Sequence, residues 1–450
     1  MFGFLLVFSG AAQANSLKDA LAMAYEFNPT LKAERANLRA IDEGVPQALA
    51  GRRPTISGSA DIGYQDLDIR SMTLTGPARS RFSLNPRGYS ITLSQPIFAG
   101  FTVLNSIRQA EALVKAGAQA LKNTEQNILF DAAQVYMDVV RDIAIIDLQR
   151  NNLRVLKEQL RATHDRFSVG EVTRTDVAQA EASVALADSG VSLANANLAT
   201  SRAVYEQIVG QPPNGVRSPP SIEGMLPNNL DSAIAIGETE HPAILAASFS
   251  TEAASHQVEV ARGSLLPSVD LEASYSNRYD SGPTTTRSEA ATLTGRLTVP
   301  LYQRGAVSSR IRQSRQTLAQ SQFQVEQARH QVRAAVASAW NQLQSIKAQQ
   351  QSNQAQVRAN EIALNGVREE SSVGQRTVLD VLDAEQNLLN SRVTSISTNH
   401  DRVVASYAVL VAIGRLNNRR LALNVQEYNP EINYRNVRNR IFGIGIPLDD

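Results

Sequence analysis

The chain has 450 residues, with 44 basic and 43 acidic side chains. This balance gives no support to a nucleic-acid partner or to a polybasic membrane anchor. The chain has no cysteine, which excludes disulfides, thiolate metal sites, a cysteine nucleophile and lipidation on cysteine. Aromatic residues make up only 5% of the chain, and this favours long helices packed through small side chains over a large globular core.

Residues 1–14 are predicted to be a secretory signal peptide. The stretch from Phe2 to Phe8 is apolar, and Ala12-Gln13-Ala14 fits a small-x-small cleavage pattern. A buried N-terminal strand is the alternative interpretation. Export of a chain without cysteine predicts a location in the periplasm or the outer membrane of a Gram-negative bacterium.

The rest of the chain is an internal duplication. The segment that starts at Ser168-Val169-Gly170 recurs at Ser372-Val373-Gly374, with eight of fourteen positions identical at an offset of 204. Such a repeat predicts two copies of one structural unit. We expect a first repeat at 15–210, a connector at 211–230, a second repeat at 231–414 and a C-terminal segment at 415–450.

Each repeat contains one very long predicted helix. Residues 102–167 contain no proline, and apolar residues recur there every seven positions. A strict seven-residue period is typical of a left-handed coiled coil. At 1.5 Å per residue the helix would be roughly 100 Å long. Shorter helices are expected to pack beside the long ones, at about 16–50, 175–209, 231–262 and 380–413. This packing places the Val-Gly turns that follow the two long helices at the same end.

Four segments alternate between apolar and polar residues, two in each repeat. They lie near residues 55–65, 89–94, 268–276 and 291–299. This period of two fits a transmembrane β-barrel, and a soluble half-buried sheet is the alternative. Four strands cannot close a barrel, so a membrane location requires several copies of the chain to share one barrel.

The duplicated unit, with Val-Gly-x-x-Thr-x-x-Asp after each long helix, resembles the TolC family of outer-membrane channel-tunnels. The resemblance implies a mostly α-helical homotrimer with a 12-strand transmembrane β-barrel on a 12-helix α-barrel. Residues 211–230 and the segment from 415 would form an equatorial domain. The tail at 428–438 is similar to the tails of members that serve type I protein secretion.

The same resemblance implies site residues after the second turn. Asp380 and Asp383 would line the periplasmic aperture, where rings of carboxylates select and bind cations. Arg376 would hold the closed state by bonding to Thr175 or Asp176 on a neighbouring helix. The alternative for Asp176 and Asp380 is helix capping, and the alternative for Arg376 is a solvated turn residue.

The tips of the two turns are predicted to contact a periplasmic adaptor protein. These residues are Val169, Gly170, Val373 and Gly374. The alternative is that the two glycines serve only to turn the chain.

The resemblance implies an outer-membrane exit duct for proteins, fed by an inner-membrane ABC exporter and an adaptor. The alternatives are the outer-membrane part of a proton-driven multidrug efflux pump, and a periplasmic coiled-coil adaptor or structural protein. No Walker A, GxSxG, HExxH or GxGxxG motif is present. We therefore expect no enzyme activity, cofactor or metal, and we expect the five histidines to lie on helix surfaces.

Overall fold

The computed structural model describes residues 16–445, so the predicted signal peptide lies outside the described residues. The helices, in chain order, are α1 (Leu17–Phe27), α2 (Pro29–Asp42), α3 (Gly44–Ala50), α4 (Thr102–Ser168), α5 (Arg174–Val209), α6 (Leu230–Glu240), α7 (Pro242–Gly263), α8 (Ala306–Ser372), α9 (Val378–Ala412), α10 (Asn418–Leu421) and α11 (Pro430–Arg438). The strands are β1 (Thr55–Ile62), β2 (Gln65–Thr73), β3 (Gly76–Leu84), β4 (Arg87–Ala99), β5 (Ser268–Gly282) and β6 (Thr285–Thr298). A short 3-10 turn lies at Glu223–Met225.

The two long helices confirm the heptad prediction. α4 and α8 each contain 67 residues, which corresponds to roughly 100 Å of helix. The heptad positions are buried in both helices, as at Ile107, Leu121 and Ile128 in α4 and at Ile311 and Val325 in α8. The seven-residue period therefore marks the packed stripe of each helix.

The prediction of one continuous helix over 16–50 is wrong. The chain leaves the helix at Asn28, whose extended ψ of 124° is the conformation that a following proline favours. The side-chain oxygen of Asn28 then accepts a hydrogen bond from the backbone N–H of Thr30, at 2.9 Å, and caps α2. The second repeat has the same break at His241, before Pro242. The Asn-Pro and His-Pro pairs are the sequence signals for these breaks.

The four predicted strands form one antiparallel sheet with the order β1-β4-β5-β6. Apolar residues lie opposite one another across all four strands, in the row Ile56, Leu93, Ala273, Leu293. The adjacent row is polar and consists of Thr55, Ser94, Glu272, Thr294. One face of the sheet is therefore apolar and the other polar, as the alternation predicts.

The predicted loop between the first two strands of that sheet is instead a second, two-stranded sheet. β2 and β3 pair from Gln65 opposite Leu84 to Thr73 opposite Gly76. This hairpin has no counterpart in the second repeat, where β5 and β6 are joined directly after Gly282 pairs with Thr285. It accounts for the longer spacing between strands in the first repeat.

The described chain divides into two compact units. The first unit contains residues up to Asn37, Ala118–Ala246 and Glu326–Asn429, and with them both Val-Gly turns. The second unit contains Leu38–Gly117, Ala247–Val325 and the residues from Pro430 onward, and with them the strands described above. Among residues 16–445, no helix is both long enough and apolar enough to cross a membrane.

Two histidines contradict the expectation that all five lie on helix surfaces: His241 lies in the break between α6 and α7, and His400 is buried. His400 of α9 is only 7% exposed. Its Nδ1 lies 2.9 Å from an oxygen of Asp401, and its Nε2 lies 2.9 Å from an oxygen of Asp138 on α4. The Nε2 contact lacks the alignment of a hydrogen bond, so it acts as a charge contact. Arg141 forms an ion pair with Asp138 at 2.8 Å, so partly exposed charged residues surround the buried His400 in the first unit.

This cluster makes the first unit's stability depend on pH. Burial acts to lower the pKa of His400, but Asp138 and Asp401 outweigh it and the net pKa is raised. Because the folded pKa exceeds the unfolded value of 6.5, the stabilisation is complete below that value and is lost as the pH rises through the folded pKa. We expect the unfolding temperature to fall more between about pH 6 and about pH 8.5 for the natural chain than for His400→Gln. Equal slopes in thermal melts of the two proteins would contradict this prediction.

Candidate functional site

The two Val-Gly turns lie together in the first unit. The residues beside them share one hydrophobic cluster, in which Val378 and Leu382 of α9 pack with Ala180 of α5 and Leu156 of α4. Val172, which lies inside the first turn, packs against the same cluster. The prediction that both turns lie at one end is thus confirmed.

Each turn is closed by the same backbone hydrogen bonds. Gly170 and Gly374 have φ angles of 81° and 78°, a conformation that residues other than glycine rarely adopt. The next residue donates to a helix carbonyl five positions back: Glu171 to Arg166 at 3.0 Å, and Gln375 to Glu370 at 2.9 Å. This is the Schellman pattern of helix ends. The glycines are therefore required by the backbone, which leaves their contact with an adaptor as a separate prediction.

The valines beside these glycines are exposed. Val169 is 71% exposed and Val373 is 69% exposed. Large apolar side chains at this exposure are available for contact with another protein.

A capping box follows each turn. Thr377 accepts a hydrogen bond from the backbone N–H of Asp380, and the Asp380 carboxylate accepts bonds from the backbone N–H and hydroxyl of Thr377, at 2.9 and 2.8 Å. Thr173 and Asp176 form the same box at the start of α5. These bonds lower the pKa of both carboxyls, chiefly through the Thr377 backbone for Asp380 and the Thr173 hydroxyl for Asp176. Both aspartates therefore stay ionised to more acidic pH than a free carboxyl.

Asp383 lies one helical turn after Asp380 on α9 and is exposed. Its counterpart in the first repeat, at the offset of 204, is Gln179. The pair of carboxylates therefore occurs in the second repeat alone. Asp383 lies outside the capping box, which keeps it free for the predicted role in the aperture.

Arg376 pairs with Glu370 within its own turn, with Nε 2.8 Å from the carboxylate. Thr175 is exposed, and the Asp176 carboxylate is held by Thr173. The predicted lock between Arg376 and Thr175 or Asp176 thus requires Arg376 to exchange its partner. It stays a prediction about neighbouring chains.

Sequence reasoning missed the ion pair that spans each turn. In the first turn Arg166 pairs with Glu171 at 3.1 Å, so the basic residue precedes the acidic one. In the second turn the acidic residue, Glu370, precedes the basic one, Arg376. A further contact recurs between the helices: His164 Nε2 lies 3.7 Å from the Glu181 carboxylate in the first repeat, and Arg368 forms an ion pair with Glu385 in the second. The offset of 204 aligns these pairs, and a comparison of charges at that offset would have found them.

The chain is similar to known proteins over most of its length. The family model described as "Outer membrane efflux protein" matches residues 20–211 and 238–415. The chain belongs to the outer membrane efflux protein family. It is an outer-membrane component of tripartite export machinery, and proteins of this family are channels rather than enzymes.

Relatives match over nearly the full length. Outer membrane efflux protein BepC of Brucella suis is 38% identical over 438 residues, which cover 97% of this chain and 93% of that protein. Outer membrane protein TolC of Escherichia coli is 25% identical over 93% of this chain and 86% of its own. Proteases secretion protein PrtF of Dickeya chrysanthemi is 25% identical over 85% of this chain and 84% of its own. The resemblance to the TolC family is confirmed.

Solved structures show the same fold. The outer membrane channel CmeC of Campylobacter jejuni superposes with a TM-score of 0.80, at 17% identity, over 94% of this chain and 89% of that one. The channel-tunnel fold of this family is therefore also that of this chain.

Proposed function

We propose that three copies of this chain form one outer-membrane exit duct. The observation that carries the proposal is the open sheet: β1 pairs only with β4 and β6 only with β5 within the described residues. Its apolar face suits lipid, yet the unpaired N–H and C=O groups of two open edges each cost several kcal/mol there. Pairing of β6 with the β1 of the next copy removes both edges.

Barrel size favours three copies. Two copies give eight strands, whose interior is filled by their own side chains, whereas twelve strands can enclose water. The strand count alone allows four copies as well. The family's fold supports three, with the long helices of the three copies continuing the duct into the periplasm.

The turns would be the end of the duct that meets its partners. Asp380 and Asp383 of three copies would form stacked acidic rings at the aperture. Arg376, released from Glu370, would bond across to Thr175 or Asp176 in the closed state. Val169 and Val373 would contact the adaptor that links the duct to an inner-membrane exporter.

For the cargo we propose proteins, delivered by an ABC exporter. The relative named for protease secretion, PrtF, supports this substrate class. Small-molecule efflux through a proton-driven pump is the second candidate, and it is favoured by the name of BepC, a relative with higher identity.

A deletion strain separates the two cargoes. If proteins are the cargo, we expect a secreted protein to disappear from the medium of the deletion strain and to return when the natural gene is restored. If small molecules are the cargo, the strain instead becomes sensitive to drugs and its secreted proteins are unchanged. A strain with neither defect would contradict the exit-duct proposal.

The same strain tests the adaptor contact. Restoration with the double variant Val169→Asp, Val373→Asp should not recover export, because two exposed apolar contacts are replaced by charges. The variant should still reach the outer membrane as a trimer, since neither side chain belongs to the buried cluster. Full export by this variant would remove both valines from the adaptor contact.

A further inference from the structure

The strands of the four-stranded sheet bring several chain segments to one end. Thr55 at the start of β1 lies opposite Ser94 of β4, and Ser268 at the start of β5 lies opposite both Ala99 and Thr298. The residues just outside these positions therefore gather at one end of the sheet, here called the helix end. They include the exposed Phe101, Leu301 and Tyr302, which are 55%, 92% and 84% exposed.

The C-terminal segment is fixed beside this helix end. Tyr434 of α11 packs on the cluster of Val45, Leu49 and Ile107. Two polar contacts hold the same helix: Asn433 donates to Asp42 at 2.7 Å, and Arg438 pairs with Glu111 at 2.7 Å. α11 therefore has a fixed place in the second unit.

From α11 the chain continues toward the base of β1. The guanidinium of Arg53, two residues before the first residue of β1, donates to the carbonyl of Arg440 at 3.2 Å. Residues 440–445, here called the tail hook, are thus attached next to the helix end of the sheet.

The tail hook is wound around its own arginine. Arg440 donates from Nε to the carbonyl of Phe442 at 3.3 Å and from Nη1 to the carbonyl of Gly445 at 2.6 Å. Gly443, with a φ of 102°, allows the backbone to turn back. The arginine therefore satisfies two backbone carbonyls, which lowers the cost of bringing this irregular segment against lipid.

The apolar side chains of the tail hook are exposed to solvent. Ile441 is 64% exposed, Phe442 is 87% exposed and Ile444 is fully exposed. Residues 440–445 contain no acidic side chain, and Arg440 and the contacting Arg53 lie beside the apolar ones. Apolar side chains bordered by arginines are typical of segments that lie in a membrane interface.

We infer that the tail hook is a membrane anchor, which inserts Ile441, Phe442 and Ile444 into the periplasmic leaflet while its arginines meet anionic phosphates. The inference rests on the proposed placement of the sheet in the outer membrane. Charge complementarity favours lipid over a second copy of the chain, because each guanidinium has five N–H donors and those not used by the hook suit phospholipid head groups. The anchor continues the exposed apolar surface at the helix end.

A single label can test the location of the hook, because the chain has no cysteine of its own. Full-length protein carrying Phe442→Cys is spin-labelled and reconstituted into vesicles of phosphatidylethanolamine and phosphatidylglycerol. Label accessibility is measured to oxygen, which concentrates in lipid, and to a water-soluble nickel chelate. Leu293→Cys on the apolar face of the sheet is the matched lipid control, and Val169→Cys at the first turn is the matched water control.

We expect the label at position 442 to resemble that at 293, with an oxygen-to-nickel accessibility ratio severalfold above that at 169. A label at 442 that the nickel chelate reaches as readily as at 169, while 293 lies in lipid, overturns the anchor and leaves the proposed duct intact. A label at 442 that neither reagent reaches is covered by protein, and this also overturns the anchor in favour of a second copy. Exposure of 293 to the nickel chelate overturns the placement of the sheet, and so the proposed duct itself.

Discussion

Channels that carry Asp380→Asn together with Asp383→Gln should lose most of their preference for cations and most of their block by multivalent cations. With Asp380 and Asp383 at the proposed aperture, three copies of the chain would place six carboxylates there, and the double variant would remove all of them. We expect the double variant to require about a tenfold higher concentration of a trivalent cation for block. This change corresponds to a loss of about 1.4 kcal/mol of binding free energy. Conductance in planar bilayers, with ion gradients for selectivity, measures both effects.

The substitutions are chosen to leave the fold unchanged. Asn at 380 keeps a side-chain oxygen for the capping box with Thr377, and Gln at 383 is the residue type that the first repeat carries as Gln179. The matched control is Asp165→Asn, which removes an exposed acid near the end of α4. If the control and the double variant alter selectivity equally, Asp380 and Asp383 do not line the aperture.

The pH dependence of the block provides a check on the role of Asp380. Because its bonds to Thr377 hold the pKa of Asp380 below the ordinary value of 3.8, this carboxylate keeps its charge as the solution is acidified. Its contribution to cation block is present above that ordinary value and disappears only as the pH falls through the lower pKa. In this proposal Asp380 both caps α9 and binds the cation, and the capping bonds keep its carboxylate ionised.

Regular features of the sequence predicted most of the fold. The seven-residue period and the absence of proline predicted a helix over 102–167, which is within a residue of α4 at each end, because burial of one stripe along a helix repeats at every heptad. The internal repeat predicted a matching long helix in the second half, which is α8. The Val-Gly pairs predicted the turns after the two long helices, because a glycine at a helix end acts through its own backbone conformation. Such signals are local, and they can be found without knowledge of distant contacts.

Features that depend on distant residues could not be predicted. The carbonyl of Arg440 accepts a hydrogen bond from Arg53, which lies 387 positions away in the chain. The sequence near either residue does not indicate this contact. His400 carries no local sign of burial, because its partner Asp138 belongs to another helix. Residues 65–84 lack the clean alternation of the other strands, so the β2–β3 hairpin carried no period-two signal to predict it.

The candidate site likewise combines local features, which the sequence could predict, with features that depend on distant residues or other chains. The capping boxes and the glycine turns belong to single segments of chain and were predictable. The aperture and the lock depend on how neighbouring copies face each other, so a single chain gives the position of Asp383 on α9 and leaves its partners to experiment. The Arg376–Glu370 pair lies between these cases, since it spans a turn of known sequence at a spacing of six residues.

Replacement of one apolar residue of the sheet by arginine should prevent assembly, whereas replacement of its polar neighbour should not. Leu293 ends the apolar row that also contains Ile56, Leu93 and Ala273. An arginine on the lipid face near the bilayer midplane costs about 2–4 kcal/mol per copy, and three copies carry this cost together. We therefore expect Leu293→Arg to lose the trimer band on unboiled gels and to unfold from the membrane at lower urea concentration.

The matched control for this experiment is Thr294→Arg, which adds the same side chain one residue further along β6. Because successive residues of a strand point to opposite faces, this arginine would lie on the polar face, opposite Glu272 of β5. There it can pair with a carboxylate and remain in water, so the trimer should persist. Equal loss of trimer in both variants would mean that the two faces have the same surroundings, which is incompatible with a sheet that separates lipid from a water-filled duct.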